Sequence, residues 1–67
     1  MTGDEMRAIR KRLGLSVIEF GHAFGYEGSD TTISVTIRRY ENGMRPIPPW
    51  IARLAAMYGR FGVPDDL

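Results

Sequence analysis

Apolar residues recur along this chain at intervals of three and four, the repeat of an amphipathic helix. Met6, Ile9 and Leu13 share one face of a predicted helix over residues 4–13, and Phe20, Ala23 and Phe24 share one over 17–24. Both starts carry a capping box, a Ser or Thr followed three residues later by Glu: Thr2 with Glu5, and Ser16 with Glu19. Gly14 and Gly25 stand where these helices should stop. Gly21 lies inside the second helix, at a cost of about 1 kcal/mol relative to Ala. A close approach of another backbone is the expected reason.

Tyr26-Glu27-Gly28-Ser29-Asp30 reads as a turn-rich linker. A third helix is expected to begin between residues 29 and 32 and to end at Asn42-Gly43. The β-branched run from Thr31 to Ile37 makes a strand the competing reading. Helix is preferred because Ile33, Ile37 and Tyr40 keep a 3.6-residue period. After a proline-stiffened loop, a fourth helix starts at Pro49, a good first-turn residue, and runs to about residue 60. Its Trp50, Ile51, Leu54, Met57, Tyr58 and Phe61 form a broad apolar stripe, more than one small core is expected to need. Four helices without a confident strand make one domain over 1–62, and 63–67 is expected to be a flexible tail.

A chain of 67 residues with no cysteine has no disulfide or thiolate metal site to staple it. Its core must be dense, or a second subunit must help. The apolar fraction of 43% excludes a disordered chain. One histidine and no cysteine leave no metal-ligand set, and no serine stands beside a base in triad fashion. Asp65-Asp66 reads as tail, and His22 as a surface residue. The chain is therefore expected to be no enzyme and to carry no cofactor and no small-molecule ligand. Its start is charged rather than apolar, so no secretory signal is expected, and no apolar stretch is long enough to cross a membrane. A cytoplasmic location follows as an expectation.

Net charge is only +1, but the cations are clustered: Arg7, Arg10, Lys11 and Arg12 on the first helix, then Arg38, Arg39 and Arg45. On a wheel of the third helix, Thr31, Val35, Arg38, Arg39 and Asn42 lie opposite the Ile33, Ile37, Tyr40 stripe. Arginine binds guanine with two hydrogen bonds, and a methyl-bearing side chain can touch a thymine methyl. The plain alternative is a solvated surface helix, which an outward Val35 fits awkwardly. Ser29, Asp30, Thr31 and Thr32 are equally caps or phosphate contacts. Arg7, Lys11 and Arg12 read first as a solvated face, with phosphate steering as the competing role. On the fourth helix, Trp50, Ile51, Leu54, Tyr58 and Phe61 are the candidate homodimer interface, against the alternative that all of them fill one core.

The segment Leu13-Gly14-Leu15-Ser16-x-x-Glu19-Phe20-Gly21-x-x-Phe24-Gly25 resembles the first half of the Cro/C1-type (XRE-like) helix-turn-helix DNA-binding family. Ile37-x-x-Tyr40-Glu41-Asn42-Gly43 resembles the end of that family's recognition helix. The resemblance implies an all-α, lambda-repressor-like bundle of four to five helices. It places Gly21 where the two motif helices touch, Ile37 and Tyr40 in the core, and Arg10 with Glu41 in an ion pair. It puts Ser34, Val35 and Arg39 at base-reading positions, with Thr36 and Arg38 beside them in the candidate DNA-binding set. Asn42 and Arg45 fall near the DNA backbone, and Ser16 and Val17 at a phosphate-facing helix start. Two departures stand out. Val17 lacks the polar side chain usual there, leaving only its backbone N–H. Eleven residues separate Gly25 from Ile37, about six more than the pattern, so either the turn or the third helix is lengthened.

The function this implies is a transcriptional repressor, autoregulatory for want of a sensing domain. It would bind double-stranded DNA as a homodimer, in the major grooves of an inverted repeat with half-sites about 34 Å apart. Short lone domains of this kind resemble phage regulators, including anti-CRISPR-associated repressors. The competing readings are an antitoxin, for which only residues 61–67 could hold a toxin, and a protein-interaction module on the same fold.

Overall fold

The first helix starts where its capping box places it. In the computed structural model, which describes residues 1–65, α1 spans Gly3–Leu13. Thr2 Oγ1 accepts from the Glu5 N–H, and the Glu5 carboxylate accepts from the Thr2 N–H in return. The helix stops at Gly14, whose φ of 72° is a left-handed turn that a side chain would strain. Ser16 and Glu19 repeat the box at the start of α2, Val17–Ala23. Helix α3, Asp30–Glu41, is capped by Ser29, whose hydroxyl accepts from the Thr32 N–H. Helix α4, Pro49–Phe61, opens on proline with no side-chain cap. All regular structure among the described residues is helical; the strand reading of 31–37 gives way to α3.

Helix α2 packs along α3, and α1 lies against both α3 and α4. The buried core draws on all four: Met6, Phe20 and Phe24, Ile33, Ile37 and Tyr40, then Ile51, Ala55 and Tyr58. Phe20, Phe24 and Tyr58 form a chain of tilted rings with centroids 4.6 and 5.8 Å apart, a favourable aromatic geometry. Tyr58 also donates its hydroxyl proton to the Ala23 carbonyl, satisfying a group that the end of α2 leaves open. Burial pushes the Tyr58 phenol above its ordinary pKa.

The structure settles the choice left by the extra residues after Gly25. Six residues, 24–29, separate α2 from α3, where the helix-turn-helix motif uses three or four. Helix α3 in turn begins seven residues before Ile37. Both alternatives therefore hold in part. Tyr26 ties the long turn down: its hydroxyl bonds that of Tyr40 at 2.8 Å, and its ring lies 6.3 Å from that of Trp50. Burial first, then the bond to Tyr40, pushes the Tyr26 phenol up to about 12, so Tyr26 keeps its proton throughout the physiological range.

Three expectations need correction. Ile51 and Tyr58 are core residues, not interface residues, because α4 turns them onto Met6, Phe24 and their neighbours. Val63 is half-buried against the core, so the packed unit reaches past Gly62; of the expected tail, Asp66 and Leu67 lie outside the described residues. Gly21 is needed for a side chain rather than a backbone: a Cβ there would collide with Cγ2 of the fully buried Ile33.

Gly21→Ala should therefore lower stability even though alanine favours a helix by about 1 kcal/mol. Overpacking costs about 1–3 kcal/mol, and the stiff, β-branched Ile33 places this site at the upper end. A urea midpoint at or above that of the wild type would contradict the packing.

Candidate nucleic-acid interface

Helix α3 has two faces of opposite character. Ile33, Ile37 and Tyr40 are buried, while Thr31, Val35, Arg38, Arg39 and Asn42 face solvent. Thr31, Val35 and Arg39 are four residues apart and make one outward stripe. Val35 is 41% exposed, a large apolar side chain on the outer face. Ser34 and Thr36 are half-buried at the edges of the stripe. Thr36 donates its hydroxyl proton to the Thr32 carbonyl at 3.0 Å, so toward a ligand it offers an acceptor only.

What holds this face in place is at its end. Glu41, the last residue of α3, is 4% exposed and receives two hydrogen bonds from Arg10 of α1: Nε to Oε2 at 2.8 Å and Nη2 to Oε1 at 3.1 Å. Arg10 gives a third, Nη1 to the Leu15 carbonyl at 3.2 Å. A fork of this kind fixes direction as well as distance. It sets the rotation of α3 about its axis and so the aim of Arg38 and Arg39.

Past α3 the chain folds back tightly. Asn42 Oδ1 accepts from the Met44 N–H at 3.0 Å, and the Arg45 N–H donates to the Arg39 carbonyl at 3.1 Å. Asn42 keeps its amide N–H groups free, and Arg45 stays exposed. At the start of α2, Ser16 is less available than its sequence position implies. Its hydroxyl accepts from the Glu19 N–H, and its own N–H is taken by the Glu19 carboxylate. That backbone donor holds the Glu19 carboxyl below the usual carboxylate range. Val17 is half-buried and packs on the core, so only its N–H is offered.

The structure brings Val17, Arg38 and Asn42 together with Arg7, Arg10 and Glu41 around one open cleft of about 300 Å³. Arg7 is the residue that sequence reasoning placed with a solvated face. Its spacing of three from Arg10 was the available signal, since that puts both on one side of α1. Arg39, Val35 and Arg45 lie outside the cleft.

The fourth helix has its own exposed stripe. Trp50, Met57 and Phe61 are 52%, 56% and 77% exposed, and Leu54 is half-buried beside them. Of the proposed interface set, Trp50, Leu54 and Phe61 thus remain accessible. Among the described residues no group of His, Asp and Glu side chains could hold a metal ion, and no helix is long and apolar enough to cross a membrane. His22 is exposed. No protein-family model, curated protein or solved structure matches the chain.

Removing one member of the Arg10–Glu41 pair leaves the other as an uncompensated buried charge, at a cost of about 3–5 kcal/mol. Glu41→Gln should thus unfold much of the population at room temperature, given the few kcal/mol typical of so small a domain. Replacing both members by Met and Leu should restore a folded protein. Circular dichroism melts of the two variants check this, and a fully folded Glu41→Gln protein would sink it.

Proposed function

We propose that this chain is a sequence-specific DNA-binding transcriptional repressor that inserts α3 into the major groove and acts as a homodimer on an inverted repeat. One observation carries the reading: a rigid helix presents an arginine and a valine on its outermost stripe, and a buried ion pair fixes its aim. Twelve residues make a rod about 18 Å long and 10–12 Å wide, which the roughly 12 Å major groove accommodates. Arg39 supplies a two-pronged donor for guanine O6 and N7, and Val35 supplies methyl groups for a thymine.

The size of the body favours two copies. Its extents are 27 × 25 × 20 Å, less than the roughly 34 Å between successive major-groove sites on one face of DNA. One protomer reads one half-site. The exposed Trp50, Met57 and Phe61, with Leu54 beside them, are the surface available for pairing, and interface centres favour aromatic residues and methionine. Control through the protein's own concentration is the simplest mode.

Selection from a random DNA pool should yield a palindromic motif. On that motif, Arg39→Ala should lose about 1–3 kcal/mol and discriminate less at one base position, with little change on random DNA. Equal losses on both would reduce Arg39 to a phosphate contact. No measurable binding by the wild type to any duplex would favour a protein-interaction module instead.

Sedimentation at micromolar concentration tests the pairing. The wild type should run as a dimer whose melting temperature rises with protein concentration, and Phe61→Glu as a folded monomer that loses this dependence and binds the operator more weakly. A wild-type monomer that binds single half-sites would overturn the dimer.

A further inference from the structure

The two adjacent arginines of α3 do not share surroundings. Arg38 lines the cleft with Arg7, Arg10, Val17, Glu41 and Asn42, whereas Arg39 lies on the outer stripe with Thr31 and Val35. Within the cleft the charges are three guanidiniums and one carboxylate. The carboxylate is already spoken for, since both oxygens of Glu41 accept from Arg10. Arg10 is equally occupied, with three hydrogen bonds to Glu41 and Leu15.

Arg7 and Arg38 differ from Arg10 in this respect. Arg7 Nε stands 3.5 Å from Glu41 Oε1, an ion pair too long to be a hydrogen bond, and its side chain is 44% exposed. Among the described residues neither the Arg7 nor the Arg38 guanidinium donates a hydrogen bond. Asn42 adds a free amide donor to the same cleft, because its Oδ1 is used by Met44. Two guanidinium forks from different helices, neither of them hydrogen-bonded, thus line one space with an amide donor, and the carboxylate there already pairs with Arg10. That donor set suits a tetrahedral oxyanion, because guanidinium pairs with phosphate through parallel N–H bonds.

We infer that Arg7 and Arg38 clamp a single backbone phosphate in the cleft between α1 and α3, which leaves Arg39 as the base-reading arginine. This rests on the DNA-binding reading for the source of the phosphate, but the cleft's preference for a phosphate oxyanion does not. The clamp sets how far α3 enters the groove and carries no sequence information of its own.

Two measurements on the full chain separate these parts. The first titrates inorganic phosphate while NMR follows the Nε–H groups of Arg7 and Arg38 and the Asn42 amide, with chloride at matched ionic strength as control. All three should move together and saturate with phosphate only. The second compares Arg7→Ala, Arg38→Ala and Arg53→Ala, the last removing an exposed charge on α4. Binding is measured on the selected operator and on a random duplex over a range of salt. Arg7→Ala and Arg38→Ala should each weaken binding by the same factor on both duplexes. Each should flatten the dependence of log K on log salt by about 1, as expected for one lost phosphate contact. Arg7→Lys should recover part of the slope, and Arg53→Ala should keep all of it.

Absence of a saturable phosphate response at Arg7 and Arg38 overturns the clamp, whatever the DNA results. So does Arg7→Ala behaving like Arg53→Ala, or Arg38→Ala altering operator discrimination while leaving random DNA untouched; in these two cases DNA binding itself still stands. A phosphate response without binding to any duplex supports the oxyanion cleft and overturns the DNA reading.

Discussion

Arg10 and Glu41 are 31 residues apart in sequence and joined by two hydrogen bonds in the fold. Most of the molecule's geometry depends on that junction. Burying a carboxylate at 4% exposure is tolerable only when a cation faces it and each of its oxygens is hydrogen-bonded. Arg10 meets both conditions, and its remaining nitrogen holds the Leu15 carbonyl in the link between the first two helices. One side chain therefore fixes the start of α2 and the end of α3 at once. Apolar contacts are non-directional and would let α3 roll in its seat. The planar fork removes that freedom.

The same economy recurs elsewhere. With no disulfide and a small core, the chain uses single polar bonds to pin the places where packing is weakest. Tyr58 reaches the last carbonyl of α2, Tyr26 ties the long turn to α3 through Tyr40, and Arg12 donates to the Gly59 carbonyl across the α1–α4 contact. Gly59 has a milder version of the constraint on Gly21, since a Cβ there would meet the flexible end of Arg12 and sit tightly against Ile9. Each tie crosses between elements, which is where a small domain loses order first.

The sequence is legible wherever structure is decided locally. Both capping boxes, the stop at Gly14 and the inward residues of α1, α2 and α3 follow from spacing alone, because a helix satisfies its own backbone and shows its buried face every 3.6 residues. Distant ties are not local. Nothing near Tyr26 says that its hydroxyl will meet Tyr40, and nothing near Gly21 distinguishes a neighbouring side chain from a neighbouring backbone. The wide stripe of α4 was visible as a surplus, but its division was not: Ile51 and Tyr58 turn inward while Trp50 and Phe61 stay out, a choice set by how α1 docks. Arg7 was legible as a charge, and its place beside the cleft became clear only once α1 and α3 were placed together.

The division of α3 into a buried and an exposed face has an evolutionary consequence. Positions 31, 35 and 39 contribute little to holding the fold, so replacing them changes stability by at most about half a kcal/mol. Positions 33, 37 and 40 are constrained by packing and change only with their neighbours. On the proposed DNA-binding reading, a lineage carrying this domain can exchange one specificity for another by single steps, each intermediate remaining folded. The scaffold is held by its packing, and its outer face is free to drift.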